Sequence, residues 1–66
     1  MTTDDLIMRA TNLGMDHAED EHNGTRGARL YSGRQIADAL GVTEQLTGAR
    51  YVALRDAYGS GWSSFW

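Results

Sequence analysis

The sequence predicts an all-α fold: a small bundle of about three helices, formed by residues 1–66 as one domain. Two observations carry this. The chain has no proline, and no run alternates apolar and polar residues over the length of a strand. Apolar residues recur instead at helical spacing, in stretches bounded by capping residues and glycines.

The first helix is predicted from about Thr3 to about Glu21. Thr2 or Thr3 can cap its free N–H groups, and Asp4 and Asp5 sit in the first turn, where carboxylates favour the positive end of the helix dipole. Leu6, Ala10, Leu13 and His17 recur at helical spacing with Ile7 alongside, and this stripe should face the core. Gly14 costs about 1 kcal/mol relative to alanine, so it is a weak point that could end the helix and leave Met15–Glu21 as a separate turn.

Residues 22–31, HNGTRGARLY, hold Gly24 and Gly27 without a helical period and read as a glycine-rich loop. Ser32-Gly33-Arg34-Gln35 then forms a capping box: the serine oxygen accepts from the third backbone N–H, and the glutamine reaches back to the serine N–H. Tyr31 and Ile36 bracket it as a hydrophobic staple. Ile36, Ala37 and Leu40 give the second helix its apolar face, and Gly41 stands where a left-handed residue is wanted. Thr43 can cap a third helix with Glu44 in its first turn. Leu46, Ala49, Val52, Ala53 and Ala57 would form its inner face, Gly48 its weak point. Gly59, Ser60 and Gly61 are predicted to end it and leave the tail WSSFW.

Size and composition narrow the function. A chain of 66 residues buries only about 60% of its unfolded surface. Such a core supplies roughly 3–5 kcal/mol, so a partner, a ligand or a second copy would help to hold it. A deep pocket is not expected, which argues against an enzyme and against a cofactor. With no cysteine there is no disulfide, thiolate metal site or cysteine nucleophile. No apolar run approaches the ~20 residues that span a bilayer, and the first residues carry acids where a signal peptide carries bases. These features predict a soluble, cytoplasmic protein. Its net charge of −3 is unevenly spread: residues 1–22 hold six acids against one base, Arg9.

The densest charge is DHAEDEH, residues 16–22. His17 and Glu21 stand four apart with His22 nearby, but no third ligand has a fixed spacing and there is no HExxH, so no metal site is expected. His17 lies on the apolar stripe, as a packed, hydrogen-bonded core histidine would. Acid–base catalysis would need a cleft to shift the carboxylates, and nothing predicts one. As a surface the cluster reads differently. Asp5, Asn12, Asp16, Glu19 and Asp20 fall opposite the apolar stripe, with Asp16 and Asp20 about 6 Å apart along the axis. Duplex DNA carries one phosphate per ~3.4 Å of rise on each strand, so a helix edged with carboxylates can enter a groove made for nucleic acid. The plain alternative is a solvated helix face.

Five of the six aromatic residues lie at positions 51–66: Tyr51, Tyr58, Trp62, Phe65 and Trp66. Trp62 should fold back to seal the helix ends. Phe65 and Trp66 either pack down or serve with Trp62 as interface anchors, and the tail is expected to be buried in its own core or against a second copy, making a homodimer.

Residues 34–43, RQIADALGVT, resemble the first half of a helix-turn-helix motif through Ile36, Ala37, Leu40, Gly41, Val42 and Thr43. In that family the following helix reads the major groove and is locked by apolar residues. Here those positions hold Thr47 and Arg50, with Gly48 between them. The exposed start of the helix, Glu44 and Gln45, offers no base to phosphate, so direct nucleic-acid binding is not favoured. By type alone (size, acidity, absence of cysteine) the chain also resembles small phage-encoded inhibitors such as anti-CRISPR proteins, some of which place carboxylates where an effector expects DNA phosphates. That resemblance implies an acidic protein-binding module. Asp5, Asp16, Glu19, Asp20 and Glu21 would contact arginines and lysines of a nucleic-acid-binding protein complex and block it as a DNA mimic. The alternative is a small helix-turn-helix regulator in which Arg26, Arg29 and Arg34 hold phosphates and Gln45 and Arg50 meet base edges. A structural or assembly subunit is a third possibility.

Overall fold

The computed structural model describes residues 3–24 and 29–66, and at Thr3 and Asp4 the backbone only. Among these residues there are three helices and no strand: α1 (Thr3–His22), α2 (Gly33–Ala39) and α3 (Gly48–Phe65). The two long helices pack against each other, and α2 packs chiefly on α3. The expected caps at Thr2 and Thr3, the Asp4 carboxylate, and Gly27 with Arg26 in the loop lie outside the described residues.

α1 is continuous through Gly14. Leu6 and Ala10 are buried as their spacing predicts, with Ile7, Leu13 and His17 half-buried beside them. Ala10, Gly14 and Ala18, one helical turn apart, form a smooth buried strip against α3. A methyl group on Gly14 would run into the Tyr58 carbonyl, and one on Gly61 into the Thr11 carbonyl. These two glycines therefore let the backbones touch. That close approach is why Gly14 does not break its helix.

The short α2 follows its local signals with two corrections. Ser32 Oγ accepts from the Gln35 N–H at 3.1 Å, but Gln35 Oε1 accepts from the Tyr31 N–H at 3.2 Å instead of the serine N–H. The Tyr31–Ile36 staple is absent: Ile36 is fully buried, whereas Tyr31 is 72% exposed. At the other end Gly41 has φ +78°. The Gly41 N–H donates to Asp38 and the Val42 N–H to Ala37, a Schellman ending. Arg9 Nη2 donates to the Leu40 carbonyl at 2.8 Å, fastening α1 to this corner.

α3 corrects the sequence reading most. It begins at Gly48, with Thr47 as N-cap accepting from the Arg50 N–H, instead of at Thr43. It runs straight through Gly59, Ser60 and Gly61 to Phe65, so there is no separate tail. Its buried residues are Leu54, Tyr58, Gly61 and Trp62; Ala49 and Val52 are exposed, and Leu46 is buried ahead of the helix. The Leu46 N–H donates to the Tyr51 hydroxyl at 3.1 Å, tying this segment to α3. Trp62 does not fold back over the helix ends: it lies on the same α3 face as Leu54 and Tyr58, 8% exposed. None of the helices is long and apolar enough to cross a membrane.

Candidate functional site

The predicted partner residues lie on α1, and its geometry sorts them. At 3.6 residues per turn, Asp5, Asp16, Glu19 and Asp20 occupy an arc of about 100° on the side away from α3. All four are exposed. Asp5 stands about 16 Å along the axis from Asp16, while Asp16, Glu19 and Asp20 are gathered on the last two turns. Glu21 is exposed too, but its azimuth is that of Ala10 and Gly14. It belongs with the core end of the bundle, where its charge bears on the Tyr58 phenol.

Asp16, Glu19, Asp20 and Glu21 have no salt-bridge partner among the described residues. Glu19, Asp20 and Glu21 also stand in the last turn of α1, at the negative end of the helix dipole, where a carboxylate costs about 0.3–1 kcal/mol. The i,i+4 pair of like charges at Asp16 and Asp20 adds a few tenths more. The edge is thus held on a rigid helix at a local cost in stability.

The aromatic residues separate into core and surface. His22, the last residue of α1, meets Phe65 and Trp66 edge-on at centroid distances of 5.6 and 5.8 Å. Phe65 is half-buried, while Trp66 is 63% exposed, so the last ring is not buried in the chain's own core. Of the three proposed anchors, only Trp66 presents most of its ring to solvent.

Tyr58 organises the adjoining stretch of the α1–α3 interface. Its hydroxyl lies 2.6 Å from His17 Nδ1 and accepts from the Leu30 N–H at 3.0 Å. With the phenol donating to Nδ1, all three groups are satisfied, and the loop before α2 is pinned to both long helices. Burial pushes the Tyr58 phenol above its ordinary value, with the Leu30 amide and the Arg29 guanidinium pulling the other way. His17 is accordingly taken up in packing. Among the described residues no three His, Cys, Asp or Glu side chains converge as a metal site would require.

The basic residues of the helix-turn-helix alternative are dispersed. The Arg29 guanidinium lies 4.8 Å from the Trp62 ring centroid and 5.3 Å from that of Tyr31. Arg34 lies over Tyr51 at 5.6 Å. Arg26 is outside the described residues. Gln45 and Arg50 are exposed on either side of the Thr47 cap. Residues 40–47 separate α2 from α3, a longer interval than the three or four residues of that motif's turn. No protein-family model, curated protein or solved structure matches this chain.

Proposed function

We propose that the protein is a small acidic binding module that works in the cytoplasm as an inhibitor. Asp16, Glu19 and Asp20, with Asp5 further along α1, occupy the basic site where a partner protein holds nucleic acid. Phage-encoded anti-CRISPR proteins exemplify the type. One observation carries the reading: the Asp16, Glu19 and Asp20 carboxylates are exposed and without salt-bridge partners among the described residues, and Glu19 and Asp20 stand in the last turn, where the helix dipole disfavours them. Stability alone would place bases there. Nucleic-acid sites are rich in arginine and lysine, and a carboxylate edge on a rigid helix can meet them without reorganising.

Competition tests this. The tagged chain bound to its partner from nuclease-treated lysate is challenged with excess duplex DNA. Displacement of the partner by DNA is the expected result. A partner that holds DNA and this chain together would contradict the reading.

A further inference from the structure

The chain also carries a basic, aromatic groove away from the carboxylate edge. It lies between the start of α2 and the middle of α3, has a volume of about 300 Å³, and is walled by Tyr31, Arg34, Tyr51, Val52 and Arg55. No carboxylate lines it among the described residues. In a protein of net charge −3, that is a local reversal of sign. The neighbouring hollow on the far side of Arg34 has Asp38 and Glu44 in its walls and lacks this character.

The rings and guanidinium groups that wall the groove have few competing partners. The Tyr31 ring stands 72% exposed, with the Arg29 guanidinium 5.3 Å from its centroid. Arg34 is stacked against Tyr51 and has no salt bridge among the described residues. Arg55 reaches only its neighbour Asp56, at 3.6 Å and in solvent. An exposed ring, Tyr31, in a groove also walled by the Arg34 and Arg55 guanidinium groups suits a ligand that is planar at one end and doubly anionic at the other.

We propose that this groove binds a nucleotide unit, with the base stacked on Tyr31 and the phosphate held by Arg34 and Arg55. A carboxylate side chain from an acidic protein would satisfy the guanidinium groups but leave Tyr31 and Val52 uncovered. The volume is at the small end of the ~300–1,000 Å³ range of ligand sites and matches one nucleotide, not a duplex. The inference is independent of the carboxylate edge on α1.

The test is an ¹⁵N-NMR titration of the full chain with thymidine 5′-monophosphate, paired with fluorescence anisotropy of a labelled eight-residue oligothymidylate. Binding should shift the amides of residues 32–34 and 51–55. Saturation by the mononucleotide identifies a free nucleotide as the source; response to the oligomer alone identifies a single strand. Tyr31→Ala should weaken binding about tenfold or more. Arg34→Gln with Arg55→Gln should weaken it and flatten its salt dependence. All three side chains are exposed, so circular dichroism of the variants should match the parent. Neither probe shifting these amides, Tyr31→Ala binding like the parent, or polyglutamate shifting the same amides as strongly would each overturn the proposal.

Discussion

His17 Nδ1 and the Tyr58 hydroxyl approach to 2.6 Å across the α1–α3 interface, and the same hydroxyl receives the Leu30 N–H. One phenol therefore joins both long helices to the chain that leads into α2. Tyr58→Phe keeps the ring but strands the Leu30 N–H and the His17 nitrogen. Chemical denaturation should show a loss of about 1–3 kcal/mol.

The Tyr58 phenol also fixes how stability responds to alkali. Its folded value lies above the unfolded 10.0 because burial penalises the phenolate. The unfolded chain thus releases this proton first as pH rises. The stabilisation is complete below pH 10.0 and is lost as pH climbs through the folded value. Urea midpoints measured from pH 8 to 11 should fall above pH 10 for the parent, and fall less for Tyr58→Phe.

The glycines of the two long helices should respond in opposite directions. Gly14→Ala and Gly61→Ala each drive a methyl group into a backbone carbonyl, of Tyr58 and Thr11 respectively. Both should lower the melting temperature sharply, despite the higher helix propensity of alanine. Gly59 has open space around it. Gly59→Ala should therefore raise stability by up to about 1 kcal/mol. Thermal melts followed by circular dichroism separate these outcomes.

The two tryptophans should behave differently. Trp62→Ala empties a buried site beneath the Arg29 guanidinium and should cost about 3–5 kcal/mol, enough to unfold a domain this small. Trp66→Ala removes a mostly exposed ring and should leave the melt within about 1 kcal/mol of the parent.

The first two helices were largely legible in the sequence. The apolar stripe of α1, Leu6 to Ala18, extends over more than three turns, long enough for its period to stand out. Ser32 and Gly41 carry local chemistry that specifies both ends of α2 without reference to the rest of the chain. α3 was not legible in the same way. Thr43 and Thr47 can both cap a helix, and Leu46 suits the earlier frame. Gly59 and Gly61 read as terminators unless a partner backbone is known to lie against them. The spacing Tyr51-Leu54-Tyr58-Trp62-Phe65 continues the helical period through those glycines and was the available signal. The acidic face of α1 was legible as well. Helical spacing alone already set Asp5, Asp16, Glu19 and Asp20 opposite the apolar stripe and left Glu21 off that face; the unbroken helix through Gly14 is what keeps Asp5 in line with the other three. The His17–Tyr58 pair spans 41 residues, and only tertiary packing brings it together. The place of His17 on the apolar stripe was its one trace.

The carboxylate edge is the central claim, and side-by-side capture tests it most directly. Parent and Asp16→Ala/Glu19→Ala/Asp20→Ala chains are tagged, passed through nuclease-treated lysate and compared by quantitative mass spectrometry. Removing acids from the carboxyl end of α1 should leave the fold intact or slightly more stable. The account predicts that the parent retains a nucleic-acid-binding complex and that the triple variant loses it. Equal retention by both chains, or no nucleic-acid-binding complex retained by the parent, would contradict it.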